Sequence, residues 1–220
     1  MIDLKRAVVA EALGALLLSG VVIGSGIMAS RLASDDATAL LANTGATAAI
    51  LFVLITAFAP ISGAHFNPAV TLVMTLRREM SASAGACYVA AQIIGCIGGA
   101  LLAHAMFGLP LLQDSLHERS GSAQMLSEGV ATFALLATIL LVSNARPHAV
   151  AAAVSLVIAA GYWWTASTSF ANPAITIARS LSDTFAGIRP EDAPWFIIAQ
   201  IGGALVAALV CGWLIGARRP

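Results

Sequence analysis

The chain has 220 residues, 59% of them apolar and 10% charged, with eleven basic residues against eleven acidic ones. Soluble domains are about 45–50% apolar and about 25% charged, so too few charges remain here to coat a soluble surface, and the apolar excess excludes disorder. With no basic surplus to follow a phosphate backbone, nucleic acid is excluded as a partner. Cys87, Cys96 and Cys211 sit inside apolar runs without a C-x-x-C pair or zinc-ligand spacing. They read as small core residues, and no metal or cofactor is implied. What remains is an integral membrane protein.

Charge-free stretches cover residues 12–30, 37–76, 81–113, 129–145, 147–178 and 193–217. A helix crossing a bilayer needs about 20 apolar residues. Six spans are therefore predicted, near residues 4–29, 40–58, 82–107, 123–143, 148–166 and 193–216. Lys5 and Arg6 precede the first apolar run, but it is too long for a signal-peptide core and lacks a cleavage site, so it reads as a span. Two stretches, 37–76 and 147–178, hold a full span and then a tail too short to cross. Such tails are re-entrant or interfacial.

With both termini inside, Lys5, Arg6, Arg77, Arg78, Arg146, Arg218 and Arg219 fall on one side, and Arg31, Arg119, Arg179 and Arg189 on the other. The larger group marks the cytoplasmic face, which predicts cytoplasmic termini.

The two halves repeat their landmarks. Glu11 and Glu128 each lie within a span. Asn67-Pro68-Ala69-Val70-Thr71 is answered by Asn172-Pro173-Ala174-Ile175-Thr176, and Ala91-Gln92-Ile93-Ile94-Gly95 by Ala199-Gln200-Ile201-Gly202-Gly203. The pairs are offset by 117, 105 and 108 residues, in that order. Each half holds three spans, an odd number, so the second half enters from the opposite face. Inverted repeats of this kind place a solute path at their interface, marked by interrupted apolar segments in matching positions.

Each tail opens at an Asn-Pro pair. Asn is a strong N-cap and Pro is pre-set for the first helical position, which predicts short helices over 68–76 and 173–181, with 60–66 and 167–171 extended before them. Entering from opposite faces, the half-helices would meet with their positive dipole ends near the midplane. The two Asn side-chain amides would donate into the lumen, so a passing water accepts from both and proton relay is interrupted.

The run Ser62-Gly63-Ala64-His65-Phe66-Asn67-Pro68-Ala69-Val70-Thr71 resembles the first signature of the major intrinsic protein (aquaporin) family, and the paired motif extends the resemblance over nearly the whole chain. It implies an all-α membrane fold of six spanning helices and two re-entrant half-helices. It implies one channel domain over 1–220, with repeats over about 1–107 and 123–220 joined by an external loop at 108–122. A homotetramer in the lipid bilayer follows, in the cell membrane of a bacterium, each subunit passing water or small neutral solutes through its own pore. Glu11 and Glu128 would then accept hydrogen bonds from the re-entrant loops rather than relay protons.

His65 reads as a packed support for its loop, and His104, near a span end, as interfacial. Trp163 and Trp164 fit either the vestibule or interfacial anchoring. The pairs Gly20/Gly24, Gly95/Gly99 and Gly212/Gly216 read as close-packing scaffold. An ion-coupled transporter with broken helices is the alternative function, although it would normally carry charged or ion-coordinating groups at the breaks. An intramembrane enzyme would need a nucleophile-base pair or metal cluster, which no span offers.

The family usually places Arg three residues after the second motif Asn, where this chain has Ile175. Carrying the remaining filter positions across by spacing gives Thr47, Ala160 and Ser169. Such a filter is wider and more apolar than a water-only one, which points to glycerol-like solutes, with uncharged metalloid acids such as arsenicals also in reach. Arg179 lies one helical turn beyond Ile175, either lining the outer vestibule or standing as an interfacial charge.

Overall fold

The computed structural model describes residues 3–216. Arg218 and Arg219, counted on the terminal side, lie outside the described residues.

Helix α1 (Leu4–Leu32) starts where the Asp3 carboxylate accepts from the amides of Lys5 and Arg6. Asp35 likewise caps α2 (Asp36–Ser62), taking the Thr38 amide at 2.8 Å. This helix outruns its predicted span at both ends and keeps Pro60 inside its last turn. The chain leaves the helix at Gly63, whose φ of 88° is left-handed backbone that glycine adopts without steric cost. The non-helical segment is accordingly 63–66, a correction to the expected 60–66. Neither it nor 167–171 is extended as expected, since Gly63, Ala64 and Phe66 in the one and Thr168, Ser169 and Ala171 in the other have left-handed backbone. The half-helices are α3 (Pro68–Leu76) and α7 (Pro173–Ser180), each capped by the predicted Asn. Between and after them come α4 (Ala82–Met106), α5 (Ser122–Ala145), α6 (Val150–Trp164) entered through a 3-10 turn at Pro147–Ala149, and α8 (Ala193–Gly216). Six of these elements are long and apolar enough to cross a membrane.

Packing repeats the duplication. Helix α1 lies against α4 and α5 against α8, while α2 and α6 join the halves and α3 touches α7. Close approach in both main pairs rests on a matched glycine. A Cβ at Gly95 would collide with the Ala12 carbonyl oxygen, and one at Gly203 with the Gly129 carbonyl oxygen. Gly20 faces Gly99 as expected of scaffold, but a Cβ at Gly212 or Gly216 would meet nothing within 4 Å among the described residues.

The connection between the halves folds over the α7 side of the bundle. Ser115 donates its amide to Ser180 O (3.2 Å), Leu116 to Asp183 Oδ1 (2.9 Å), and Arg189 donates to His117 O (2.9 Å). This lid corrects the reading of His104 as interfacial. His104 is fully buried, 2.8 Å from Leu111 O through Nδ1 and 2.8 Å from Ser182 Oγ through Nε2, because the two loops close over the end of α4.

Candidate functional site

The two re-entrant loops have the same backbone at matched positions. Ala64 and Ser169 have φ of 52° and 53°, and Phe66 and Ala171 have φ of 49° and 47°. Left-handed conformations at residues with a Cβ persist only where surroundings impose them. Here a buried carboxylate imposes each. Glu11 Oε1 accepts from Ser62 Oγ (2.6 Å) and His65 N (3.0 Å), and Oε2 from Phe66 N (2.7 Å) and Gln92 Nε2 (2.7 Å). Glu128 Oε1 accepts from Ser167 Oγ (2.6 Å) and Phe170 N (2.8 Å), and Oε2 from Ala171 N (2.9 Å) and Gln200 Nε2 (2.6 Å). Gln92 and Gln200 also donate to Thr71 Oγ1 and Thr176 Oγ1, anchoring the half-helices to α4 and α8. Four donors satisfy each carboxylate, which is what makes a charge at this depth tolerable.

At the centre, Asn67 Oδ1 caps α3 through Ala69 N, and Asn172 Oδ1 caps α7 through Ala174 N and Ile175 N. The amide groups cross between halves: Asn67 Nδ2 donates to Ala171 O (2.7 Å) and Asn172 Nδ2 to Phe66 O (2.8 Å). Each amide has two hydrogens. One therefore ties the repeats together, and the second remains for the lumen that both residues line.

A cavity of about 290 Å³ passes both Asn-Pro-Ala motifs, with Glu79 and His65 on the α3 side and Ile175 and Arg179 on the α7 side. His65 is half-buried, with Nδ1 3.1 Å from Thr71 Oγ1 and its ring edge-on to Tyr88. Thr47, Ser169 and Ile175 are buried and line the cavity together. Ala160 does not join them. It is exposed on the outer side of α6, whose cavity-facing stripe is Val150, Val154, Ile158 and Tyr162 at four-residue spacing. Two residues are about 200° of helical rotation, so a position two away from that stripe points outward. Tyr162 lines the cavity in its place, its hydroxyl donating to Thr47 Oγ1 at 3.2 Å.

Arg179 is 3% exposed and lines the cavity, which removes the reading of it as an interfacial charge. Its Nε donates to Ala186 O, and its guanidinium carbon lies 3.3 Å from the centroid of the Phe170 ring. Sequence reasoning missed a second guanidinium. Arg119, on the connection between the halves, stands 5.0 Å from the same centroid and donates to Gly187 O (2.8 Å) and Ser167 O (3.2 Å). Burial pushes its pKa down to about 10, with Glu128 and Tyr162 pulling the other way, so it stays charged at neutral pH. No local spacing rule connects position 119 to positions 167 and 187, so the sequence held no signal for this contact.

The family model described as major intrinsic protein matches residues 1–148 and 142–218. The aquaglyceroporin AqpS of Rhizobium meliloti (strain 1021) is 55% identical over 218 residues, covering 99% of this chain and 94% of that protein. The glycerol uptake facilitator protein-like 6 of Lactiplantibacillus plantarum is 32% identical over 171 residues, 74% of this chain and 79% of its own. The X-ray structure of the aquaglyceroporin from Plasmodium falciparum superposes with a TM-score of 0.71 at 21% identity, over 97% of this chain and 96% of the other, and shares the fold. With its duplicated Asn-Pro-Ala loops and matched carboxylates, the chain belongs to the major intrinsic protein family of membrane channels.

Proposed function

We propose that each subunit passes small uncharged solutes of about glycerol size passively through the cavity between the half-helices, and that it accepts neutral metalloid acids as well. The observation that carries the reading is Ile175 at the wall where the family usually has arginine. A fixed guanidinium there would take up width and hold water; an isoleucine offers the carbon side of a polyol an apolar surface. Tyr162 deepens that surface, since its hydroxyl is engaged with Thr47 and its ring is left to face solute. Ser169 stands beside it as a hydroxyl partner for a polyol. The names of the bacterial relatives, an aquaglyceroporin and a glycerol uptake facilitator, support the same substrate class.

The pore-lining roles of Asn67 and Asn172, the filter roles of Thr47, Tyr162, Ser169 and Ile175, the vestibule position of Arg179 and the loop-supporting roles of Glu11, Glu128 and His65 belong to this proposal. So do a single channel domain, cytoplasmic termini in a bacterial inner membrane, assembly as a homotetramer in lipid and the absence of catalysis. Purified protein in liposomes tested against water, glycerol, urea, hydrogen peroxide and arsenious acid decides it. Glycerol flux well above that of empty liposomes is expected, and water flux alone would refute the substrate class.

A further inference from the structure

Two guanidinium groups share one aromatic ring at the α7 end of the cavity; Arg179 is in the cavity wall and Arg119 is not, and neither side chain has an acidic partner among the described residues. Arg119 and Arg179 both lie within 5.0 Å of the Phe170 centroid. Phe170 lines the cavity and is held edge-on by Phe196, with ring centroids 5.2 Å apart. Of the five N–H donors that an arginine carries, Arg179 spends one on protein, to Ala186 O, and Arg119 spends two, on Gly187 O and Ser167 O. The rest find no protein acceptor among the described residues.

The acids nearby are committed elsewhere. Glu128 is filled by its four loop and glutamine donors. Asp183 takes the Leu116 amide, and Asp192 takes the Arg119 amide and pairs with Arg189 at 3.2 Å. Glu118 holds Ser120 Oγ and faces Arg189 at 3.5 Å. Two like charges on one ring, with spare planar donors, attract an anion. The guanidinium fork matches the two oxygens of a carboxylate.

We propose that Arg179 in the cavity wall, with Arg119 on the same ring adding a second positive charge, forms an anion-docking site at the α7 mouth, recognising a small carboxylate, which when bound obstructs the passage of neutral solutes. Phe170 and Arg179 stand in the cavity wall, and the carbonyls of Ala186 for Arg179 and of Ser167 and Gly187 for Arg119 hold the two guanidinium groups in place. The anion goes no deeper. Beyond Arg179 the walls change to Ile175, Tyr162 and Thr47, which offer no charge to replace its hydration. The site rests on the channel reading only for its obstruction of flux.

The test compares acetate with acetamide, two solutes of one shape that differ in charge. Calorimetric titration of the purified protein in detergent at pH 7.5 is expected to show saturable acetate binding in the millimolar range and none for acetamide. In liposomes, acetate on both sides should slow glycerol flux saturably, and equimolar acetamide should not. Arg179→Met should weaken acetate binding about tenfold, and Arg179→Lys by less, since charge is kept and the fork is lost. Arg119→Gln, which removes the second positive charge, should weaken it by less than Arg179→Met. Equal effects of acetate and acetamide, or no acetate binding by wild type, would overturn the proposal whether or not the variants fold. If wild type binds acetate yet passes no glycerol, the substrate reading fails and the docking site stands.

Discussion

At the scale of single residues, the proposed filter role makes width and charge depend on the side chain at position 175. Ile175 is 4% exposed and shares its wall with Tyr162 and Ser169. In Ile175→Arg a guanidinium with five donors would project from α7 into that space, one turn below Arg179. Glycerol needs the lost width more than water does, and water can accept from the new donors. The glycerol-to-water permeability ratio should fall several-fold, on the order of the change expected from narrowing a single-file constriction. Stopped-flow light scattering on matched liposomes measures both fluxes. An unchanged ratio at equal protein content would remove Ile175 from the filter. Position 117 gives a second test at this scale. Partial burial and then the positive charges of Arg119 and Arg179 push the His117 imidazole below its ordinary pKa of 6.5, against the weaker pull of Asp183 and Asp36. The unfolded chain therefore holds more protons than the folded one just below pH 6.5, and stability falls as pH drops through that window. The melting temperature of wild type in detergent should drop between pH 7 and pH 5 by more than that of His117→Gln. Parallel pH profiles would show that His117 takes no part.

At the scale of elements, each re-entrant loop depends on one carboxylate acting at a distance along the chain. In Glu128→Gln one acceptor oxygen becomes a donor facing other donors, and Phe170 N, Ala171 N, Ser167 Oγ and Gln200 Nε2 compete for what remains. A buried donor left unpaired costs about 1–3 kcal/mol, and the left-handed residues Thr168, Ser169 and Ala171 lose the contact that imposes them. The variant should lose about 3 kcal/mol of stability, and Glu11→Gln about the same, whereas Glu118→Gln on the surface should change little. Scanning calorimetry of the three proteins checks the order, and equal melting points would refute the anchoring role. Both half-helices were legible in the sequence because Asn-Pro is a local signal, a cap and a preset first residue in adjacent positions. The C-terminal turn of α2 was not, since Pro60 reads as a breaker although only the end of the helix had to accommodate it. The inward face of α6 was illegible for another reason. Lipid and cavity wall are both apolar, so Val150, Val154 and Ile158 look no different from the residues behind them, and spacing from Asn172 led to Ala160 in place of Tyr162. Arg119 escaped because its partners lie 48 and 68 positions away.

At the scale of the whole molecule, the cross-links between the two Asn-Pro-Ala loops favour the proposed channel over a coupled transporter. Alternating access requires one repeat to rock against the other about a fixed site. Here the Asn67 amide holds Ala171 O and the Asn172 amide holds Phe66 O, so each half grips the loop of the other where that motion would have to occur. Helices α2 and α6 pack against each other across the same boundary. Rocking would break two buried hydrogen bonds together and leave two donors and two carbonyls in an apolar bundle, each costing about 1–3 kcal/mol. A path that stays open needs no such motion. Glycerol flux in liposomes should therefore rise linearly with its gradient without saturating, run equally in both directions under mirrored gradients, and persist when proton and sodium gradients are collapsed by ionophores. Saturation at low concentration together with loss of flux on collapsing either ion gradient would establish coupling, and the midplane cross-links would then have to open in every cycle.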